Sequence, residues 1–473
     1  MKREQEFAKN TLVLAIGKYF PKLFALVTLP IITGQLTKAE YGTYDLINTL
    51  VSLLLPIVTL QIQSAAFRFL IDCRDKKKDS SIIISNIFFF TVFTSVITVV
   101  IFFFVYSSAD VLIKLLICAY FLIDILQIAI GMCARGLGYN SVYSKNAVII
   151  SAVNCILVFL LVYLGRKGLA GVLISLIVAN LAAYIYMAIK IKFFGYIRIT
   201  FISKKVLKEL IAYSWPLIPN NLSNWVLSVS DRLVITGFLG IEANAVYAVA
   251  NKIPSLLNEA QSVVVMGWQE NASITAKDED SDTYYSSMFQ SMYDIVFALI
   301  AILIAAMPVV FAILIQGDYD EAYTQMPILI IGNFFFCMSA FLGGIYVAYK
   351  KTLSVAITTV LAAAVNLIID FLLVQKIGIT AGSISTLTAY LALFLFRMFD
   401  VRRLKRMSYH YVRMIIQVCI LILMGVLAVQ RSTILSCINI GLAILFSCLF
   451  NQKLFKGLVK KAYNVIKSKT KSK

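Results

Sequence analysis

Basic side chains inside long apolar segments are the residues of this sequence that most need a chemical explanation. They are Lys18, Lys22, Arg68, Arg232 and Lys252. A charge at the centre of a membrane helix costs about 2.5–3.5 kcal/mol, so such residues usually face a bundle interior or a water-filled cavity. Cations held at such a place attract an anionic ligand. The sequence therefore predicts a cationic, substrate-binding cavity.

Other roles remain open for the same basic residues. Lys18 and Lys22 are four residues apart and share one helix face, with Pro21 between them to loosen the helix. Both lysines, and Arg68, could instead extend their side chains to the inner interface of the membrane. For Arg232 and Lys252, the alternative is structural ion pairing within the second half of the chain.

Acidic side chains in the apolar segments form a second set, with a different chemistry. They are Asp124, Asp231, Glu259, Asp294 and Asp370. A buried carboxylate can bind and release a proton during transport, which would couple transport to an ion. It can equally neutralise a neighbouring cation without moving. Ion coupling and neutralisation of a cation are both hypotheses for all five residues.

The elements that position these charges are predicted to be membrane helices. The 473 residues are 60% hydrophobic and 14% charged, with a mean hydropathy of +0.87. Apolar runs of roughly 18 to 25 residues recur, which is the length needed to cross about 30 Å of hydrocarbon. Because a lipid-exposed backbone must satisfy its own hydrogen bonds, these runs predict helices. We expect an all-α polytopic membrane protein with about 14 transmembrane helices.

The predicted organisation follows the apolar runs and the charged connections between them. In chain order we predict a cytoplasmic N-terminus at 1–10, an N-lobe of six spans at 11–190, a basic cytoplasmic loop between lobes at 191–210, a C-lobe of six spans at 211–396, a cytoplasmic loop at 397–410, spans thirteen and fourteen at 411–450, and a basic cytoplasmic tail at 451–473.

The distribution of positive charge predicts the orientation. The net charge is +19, and most of the 43 Lys and Arg fall in alternate connections and in the two tails. Lys and Arg accumulate on the cytoplasmic side of membrane proteins, so both termini are predicted to be cytoplasmic. Since the basic residues are divided among short loops, the charge does not indicate a nucleic-acid partner.

An internal repeat divides the chain in two. Ile32-Thr33-Gly34-x-Leu36 with Tyr44 recurs as Ile235-Thr236-Gly237-x-Leu239 with Tyr247, about 203 residues later. Ala152-Val153-Asn154 recurs as Ala364-Val365-Asn366, and Gly168 and Gly171 are loosely matched by Gly378 and Gly382. Six spans separate each pair of copies, so both copies enter the membrane in the same direction. Two lobes related by a pseudo-two-fold axis along the membrane normal are predicted.

The sequence lacks the residues that several classes of protein require for their function. The eight cysteines are scattered without paired spacing, the one histidine, His410, lies in a predicted loop, and there is no P-loop motif. We therefore predict no catalytic residues, no metal and no cofactor, and we do not expect an enzyme. The first apolar run lacks a cleavage site, so we expect it to stay in the membrane.

Two long runs and the repeats carry a family resemblance. They are LPIITGQLTKAEYGTYDL, then SWPLIPNNLSNWVLSVSDRLVITGFLG followed by AVYAVANKI, and the two AVN triplets. The sequence resembles the polysaccharide-transporter branch of the multidrug/oligosaccharidyl-lipid/polysaccharide (MOP) exporter superfamily, which is MATE-like. Within that branch it is most similar to the Wzx-type O-antigen or capsule repeat-unit flippases, over nearly the whole chain.

The resemblance implies a fold, a substrate and partners. It implies two six-helix lobes around a V-shaped central cavity, with two further C-terminal helices, and alternating access between the two leaflets. The implied substrate is an oligosaccharide linked to undecaprenyl diphosphate in the bacterial cytoplasmic membrane, and the implied protein partners are a polysaccharide polymerase and a chain-length regulator. Two alternatives remain: a multidrug or cation antiporter of the same superfamily, and a flippase of the peptidoglycan lipid precursor.

Overall fold

The computed structural model describes residues 2–74, 76–105 and 110–452. Within these ranges, the structure does not describe the side chains of residues 2–16, 18, 19, 105, 220, 259, 260, 262, 263, 266, 270, 277 and 352. The described residues form helices joined by short turns, and no β-strand occurs among them. The predicted all-α class is confirmed.

Seventeen α-helices make up the described chain. They are α1 (Lys2–Gln35), α2 (Lys38–Val58), α3 (Ile62–Asp72), α4 (Lys77–Val105), α5 (Val111–Gly136), α6 (Asn140–Val158), α7 (Gly168–Lys190), α8 (Lys204–Ser214), α9 (Leu217–Val229), α10 (Asp231–Leu239), α11 (Ile241–Ile274), α12 (Ser281–Leu314), α13 (Asp320–Ala348), α14 (Thr352–Ile377), α15 (Thr380–Val401), α16 (Tyr411–Val429) and α17 (Thr433–Phe450).

Eleven helices of the described residues are long and apolar enough to cross a membrane. They are α2, α4, α5, α6 with its π-helical end, α7 and α12 to α17. Three predicted spans are not among them: the first (11–33) in α1, the seventh (211–239) in α8–α10 and the eighth (244–268) in α11. For α1 and α11, part of the side chains is outside the description, and the described end of α1, Phe20–Gln35, is a shorter apolar helix. The count of fourteen stays a prediction.

Two predicted spans are divided in the structure. The apolar run at 43–70 predicts the second span of the N-lobe. It is broken after Pro56, where Leu60 and Gln61 take left-handed backbone angles between α2 and α3. The span predicted at 211–239 is broken twice, before Leu217 and at Ser230. Proline at residue 216 favours the first break because it has no N–H to continue the helix.

The helix boundaries reproduce the predicted repeat. Lys38 begins α2 and Ile241 begins α11, so the offset of 203 residues also separates the two helix starts. In the later part of the repeat, α6 and α14 begin 212 residues apart, at Asn140 and Thr352, and α7 and α15 keep the same offset. These helix starts therefore repeat in the two halves of the chain, whereas the breaks do not, because α1 and α11 are continuous helices.

The chain divides into two compact units. The first is Met1–Ala245 with Leu314–Asp318, and the second is Val246–Ile313 with Tyr319–Lys473. The boundary falls within α11, so α8, α9 and α10 belong to the first unit although they were predicted in the C-lobe. The division into two six-span lobes stays a prediction.

Helices α5 and α7 supply much of the core of the first unit. One apolar cluster joins Phe121 and Ile125 of α5 to Leu173 of α7 and Ile47 of α2. A second joins α5 and α7 to α3 and α4 through Ala134, Met187, Ala66 and Ile84. Both clusters run along α5, so this helix orders its neighbours in the first unit.

Helix α13 is the centre of the second unit. Of its most apolar 18-residue window, 83% is buried inside the protein, the largest share of the eleven candidate spans. Trp268 of α11 stacks on Phe341 of α13 with ring centres 4.2 Å apart, and its indole N–H donates to the Phe341 carbonyl at 2.9 Å. Gly344 leaves the space that the indole occupies. The close packing of α11 on α13 therefore depends on a glycine.

Candidate functional site

A row of polar side chains follows one face of α2. Asp45, Asn48 and Ser52 are three and four residues apart, which places them on the same side of the helix. Each one bonds to a different helix of the first unit: Arg232 of α10 at 2.8 Å, Tyr120 of α5 at 3.0 Å and Trp225 of α9 at 2.9 Å. Polar groups in a membrane helix are stabilised by such partners.

Asp45 of this row forms a buried ion pair with Arg232. Nη1 of Arg232 lies 2.8 Å from Oδ1 of Asp45, and the two side chains are 17% and 8% exposed. Asn244 of α11 donates to the other carboxylate oxygen at 3.5 Å. Removing one partner of a buried pair leaves an uncompensated charge, so this contact holds α2 against α10.

Gly42 brings the start of α11 against α2. A Cβ at this position would overlap the carbonyl oxygen of Ile241, the first residue of α11. Asn244, one turn later, donates to the carbonyl oxygen of Gly42 at 3.3 Å. Because no larger residue fits, this approach of two helices requires glycine.

The loop after α12 adds contacts to the same part of the first unit. Lys38 pairs with Asp318 at 2.8 Å, and the backbone N–H of Gln316 donates to Thr33 at 3.0 Å. We call the contacts of Lys38, Gly42, Asp45 and Ser52 with Asp318, Asn244, Arg232 and Trp225 the α2 junction. Its connections, around residues 36, 240 and 318, all belong to loops that the charge distribution predicts to lie outside the cytoplasm.

Glu40 links the beginnings of two helices beside the junction. It forms a capping box with Thr37, whose backbone N–H it accepts at 3.0 Å, and so begins α2. Its other carboxylate oxygen accepts the N–H of Leu169 at 3.1 Å, at the start of α7. Gly168 has a φ of +50°, and a Cβ there would overlap Glu40. One carboxylate thus caps α2 and α7 together.

The five predicted cations lie on four helices. Arg232 is in the α2 junction, on α10. Arg68, on α3, is exposed and pairs with Asp72 at 2.7 Å. Lys22 of α1 and Lys252 of α11 are half-buried, and the side chain of Lys18 is outside the described residues. Their common role in substrate binding stays a prediction.

The predicted carboxylates have different surroundings. Asp231 and Asp370 are buried, with 2% and 0% exposure, Asp124 is half-buried, and the side chain of Glu259 is outside the described residues. Asp294 of α12 accepts hydrogen bonds from Arg413 at 2.7 Å, Gln417 at 2.9 Å and Gln290 at 3.0 Å. Asp294 therefore joins α12 to α16, which favours a structural role for this carboxylate over a role in ion coupling. Among the described side chains, no cluster of three or more His, Cys, Asp or Glu is arranged to hold a metal.

Three charged residues with defined roles in the structure were missed by the sequence reasoning. Asp45 was not among the predicted intramembrane charges, and its neighbourhood in sequence gives no sign of Arg232. Arg397 was predicted in a loop, but α15 continues to Val401 and buries it to 6% exposure. The apolar residues Met398, Phe399 and Val401 were the available signal for this longer helix.

Arg397 is held by neutral groups. Its guanidinium donates to the Ser339 carbonyl at 2.9 Å and to the hydroxyls of Thr359 at 3.1 Å and Thr358 at 3.2 Å. No carboxylate of the described chain lies within ion-pair distance. The third missed residue is Arg135 of α5, whose guanidinium lies over the rings of Phe67 and Tyr143 at 4.7 and 5.2 Å.

Solved structures with a similar fold are transporters. The lipid II flippase MurJ, in an inward closed conformation, matches with a TM-score of 0.69 at 14% identity, covering 95% of this chain and 100% of that one. An inward-facing multidrug resistance MATE family transporter of the MOP superfamily matches with 0.61 at 17% identity, covering 85% and 100%. A MOP superfamily transporter from Pyrococcus furiosus matches with 0.55 at 14% identity, covering 84% and 94%. Identities this low show the fold alone.

Sequence comparison gives the family. No protein of curated function matches the sequence significantly. The model of a family described as polysaccharide biosynthesis protein matches residues 7–268, which include all of the α2 junction except Asp318. Since this match covers more than half of the 473 residues, the chain is a multi-pass membrane protein that belongs to the polysaccharide biosynthesis protein family and has the fold of the MOP superfamily transporters.

Proposed function

We propose that the chain is a flippase that moves undecaprenyl-diphosphate-linked oligosaccharide repeat units across the bacterial cytoplasmic membrane for O-antigen or capsule biosynthesis. The observation that carries the proposal is the family match over residues 7–268, because this region contains the polar row of α2 and most of its partners. The lipid II flippase fold, matched over 95% of the chain, supports a lipid-linked substrate.

The α2 junction supplies the moving part of the proposed mechanism. Alternating access requires that one end of the pathway closes while the other opens. The junction closes α2 against α9, α10 and α11 through hydrogen bonds, one ion pair and a glycine contact, which can separate without unfolding a helix. In the proposed cycle these contacts are made while substrate is taken up from the inner leaflet, and they break to release it on the outer side.

Cations are proposed to bind the diphosphate. Lys18, Lys22 and Lys252 are our candidates, because phosphate oxygens favour Lys and Arg in a site with little water. Arg232 already has a carboxylate partner, so in this proposal it changes partner when the junction opens. Arg68, exposed beside Asp72, is the weakest candidate. The candidates for ion coupling remain Asp124, Asp231, Glu259 and Asp370. In the proposed orientation, both termini lie in the cytoplasm.

A second candidate function is flipping of the peptidoglycan lipid precursor. The match to MurJ extends over 95% of this chain, whereas the match to the MATE family transporter covers 85%. A substrate with the same polyprenyl diphosphate and a different glycan would suit the same cations. The multidrug or cation antiporter is less favoured because it requires a site dominated by carboxylates.

Measuring export of surface polysaccharide in cells distinguishes these candidate functions. The full chain would be expressed in a bacterium whose own repeat-unit flippase is deleted, and surface polysaccharide would be measured by immunoblot. We expect restored export with the wild type and reduced export with Lys18→Ala and Lys252→Ala at equal membrane levels. Rescue of a strain depleted of its lipid II flippase, without restored polysaccharide export, would favour the second candidate. Normal export by both lysine variants would contradict the cationic site.

A further inference from the structure

A polar cavity lies in the second unit, and none of its lining residues belongs to the α2 junction. Its volume is about 760 Å³, and it lies between the first turns of α12, the loop before α16 and the end of α17. Its lining includes Ser286, Ser408, Arg406, His410 and Arg413. These elements border connections that the charge distribution predicts to be cytoplasmic.

The cavity lies where lipid headgroups are expected. Helix α12 has 34 residues and is therefore about 51 Å long. A hydrocarbon core of about 30 Å leaves several turns of this helix outside it. The first three turns carry the hydroxyls that line the cavity, and the apolar residues follow them. We therefore expect the cavity to lie at the depth of the membrane interface.

Both carboxylates that line the cavity form ion pairs with basic side chains. Asp294 pairs with Arg413 at 2.7 Å, and Asp282 lies 3.1 Å from Lys405. Arg413 is fixed further by the carbonyl oxygen of Phe450, to which it donates at 2.8 Å. The carboxylates therefore do not offset the charge of any additional basic residue in the lining.

Two further side chains of the lining have no such partner. Arg406 and His410 are exposed, and neither makes a side-chain hydrogen bond or ion pair with the described residues. Ser286 accepts the backbone N–H of Ser408 at 3.0 Å, which fixes the loop that carries them against α12. The cavity therefore combines an available guanidinium and an imidazole with several hydroxyl donors.

We propose that this cavity binds a phosphate group, supplied by the headgroup of an anionic phospholipid of the cytoplasmic leaflet. Guanidinium and hydroxyl groups are suitable donors to phosphate oxygens, and basic pockets on the cytoplasmic side of membrane proteins bind anionic headgroups. The site differs from the proposed substrate cations, which lie on α1, α3, α10 and α11. It would make transport depend on the lipid composition of the inner leaflet.

Binding to the purified full chain in neutral detergent tests the proposal. The probes are dioctanoyl phosphatidylglycerol, dioctanoyl phosphatidylcholine and inorganic phosphate, with Kd measured by titration calorimetry. The variants are Arg406→Gln, His410→Gln and both together, and their folding would be checked by thermal unfolding without lipid. Arg403→Gln is the matched control, because Arg403 is an exposed arginine of the same loop that pairs with Asp400.

We expect phosphatidylglycerol to bind more tightly than phosphatidylcholine. Arg406→Gln should raise its Kd roughly fivefold, His410→Gln should raise it by a smaller factor, and Arg403→Gln should leave it unchanged. Inorganic phosphate that binds as tightly, with the same sensitivity to Arg406→Gln, would support the phosphate site and assign a soluble source. The proposal is overturned if neither anion binds, if phosphatidylcholine binds as well as phosphatidylglycerol, or if Arg406→Gln and Arg403→Gln behave alike.

Discussion

Arg232 donates a hydrogen bond to Asp45 at 2.8 Å across 187 residues of sequence. Asp45 directly follows Tyr44 in the first copy of the repeated motif, and Arg232 comes three residues before Ile235 in the second copy. The ion pair therefore joins the two copies of one helix pair, α1–α2 and α10–α11, at a point where their sequences differ.

This ion pair should contribute to stability as a coupled unit. Asp45→Asn and Arg232→Gln should each lower the free energy of unfolding by about 3 kcal/mol, because each leaves a charge without its partner. The double variant should lose less than the sum of the two. Thermal unfolding of the four proteins in detergent measures the coupling. Arg68→Gln is the matched control, since its exposed pair with Asp72 should contribute less than about 1 kcal/mol.

The glycine contact of the α2 junction gives a second prediction. Gly42→Val should prevent the close approach of α11 to α2 and strongly reduce polysaccharide export. Gly237→Ala is the control, because a Cβ at Gly237 would meet no atom within 4 Å. Removing this helical glycine should leave export normal and stabilise the protein by about 0.5–1 kcal/mol. Equal export by the two variants would show that the approach at Gly42 is not needed.

Glu40 should stabilise two helices at once. Glu40→Ala removes the acceptor for the N–H groups of Thr37 and Leu169, and we expect a loss of about 1–3 kcal/mol. Glu40→Gln retains one acceptor oxygen and should cost less. Hydrogen exchange should show faster exchange at the starts of both α2 and α7 in Glu40→Ala. Faster exchange at α2 alone would contradict the shared cap.

Variants at Asp294 distinguish a structural role of this carboxylate from a role in ion coupling. Asp294→Leu should destabilise the protein by about 1–3 kcal/mol because Gln417 and the partly exposed Arg413 lose their acceptor. Replacing both residues, with Asp294→Leu and Arg413→Met, should recover much of that stability. The readouts are thermal unfolding and transport by the double variant. A stable double variant that has lost only its response to a proton or sodium gradient would restore the coupling hypothesis.

Local sequence was sufficient to predict the helical class and the repeated helix starts. Runs of apolar residues predict helix class, and the motifs around Thr33 and Thr236 predict that α2 and α11 begin at matching positions. The breaks at Leu60 and Ser230 were not predicted, because an apolar run gives no sign of where tertiary contacts favour a turn.

The candidate site was less accessible to sequence reasoning. Charge in an apolar run indicated Arg232, but the choice of Asp45 as its partner depends on how distant helices pack. Arg397 shows the same difficulty, since its partners Ser339, Thr358 and Thr359 are polar residues of ordinary appearance in the sequence. Sequence shows that Arg232 lies in an apolar run, but only the fold shows which residue pairs with it.

Transfer of a lipid-linked oligosaccharide across a bilayer tests the central claim most directly. The purified chain would be reconstituted in vesicles that contain undecaprenyl diphosphate carrying a fluorescent oligosaccharide, and an impermeant quencher would report the leaflet. We predict that the wild type and Gly237→Ala transfer the substrate faster than protein-free vesicles, and that Gly42→Val does not. Transfer by the wild type no faster than in protein-free vesicles would contradict the account.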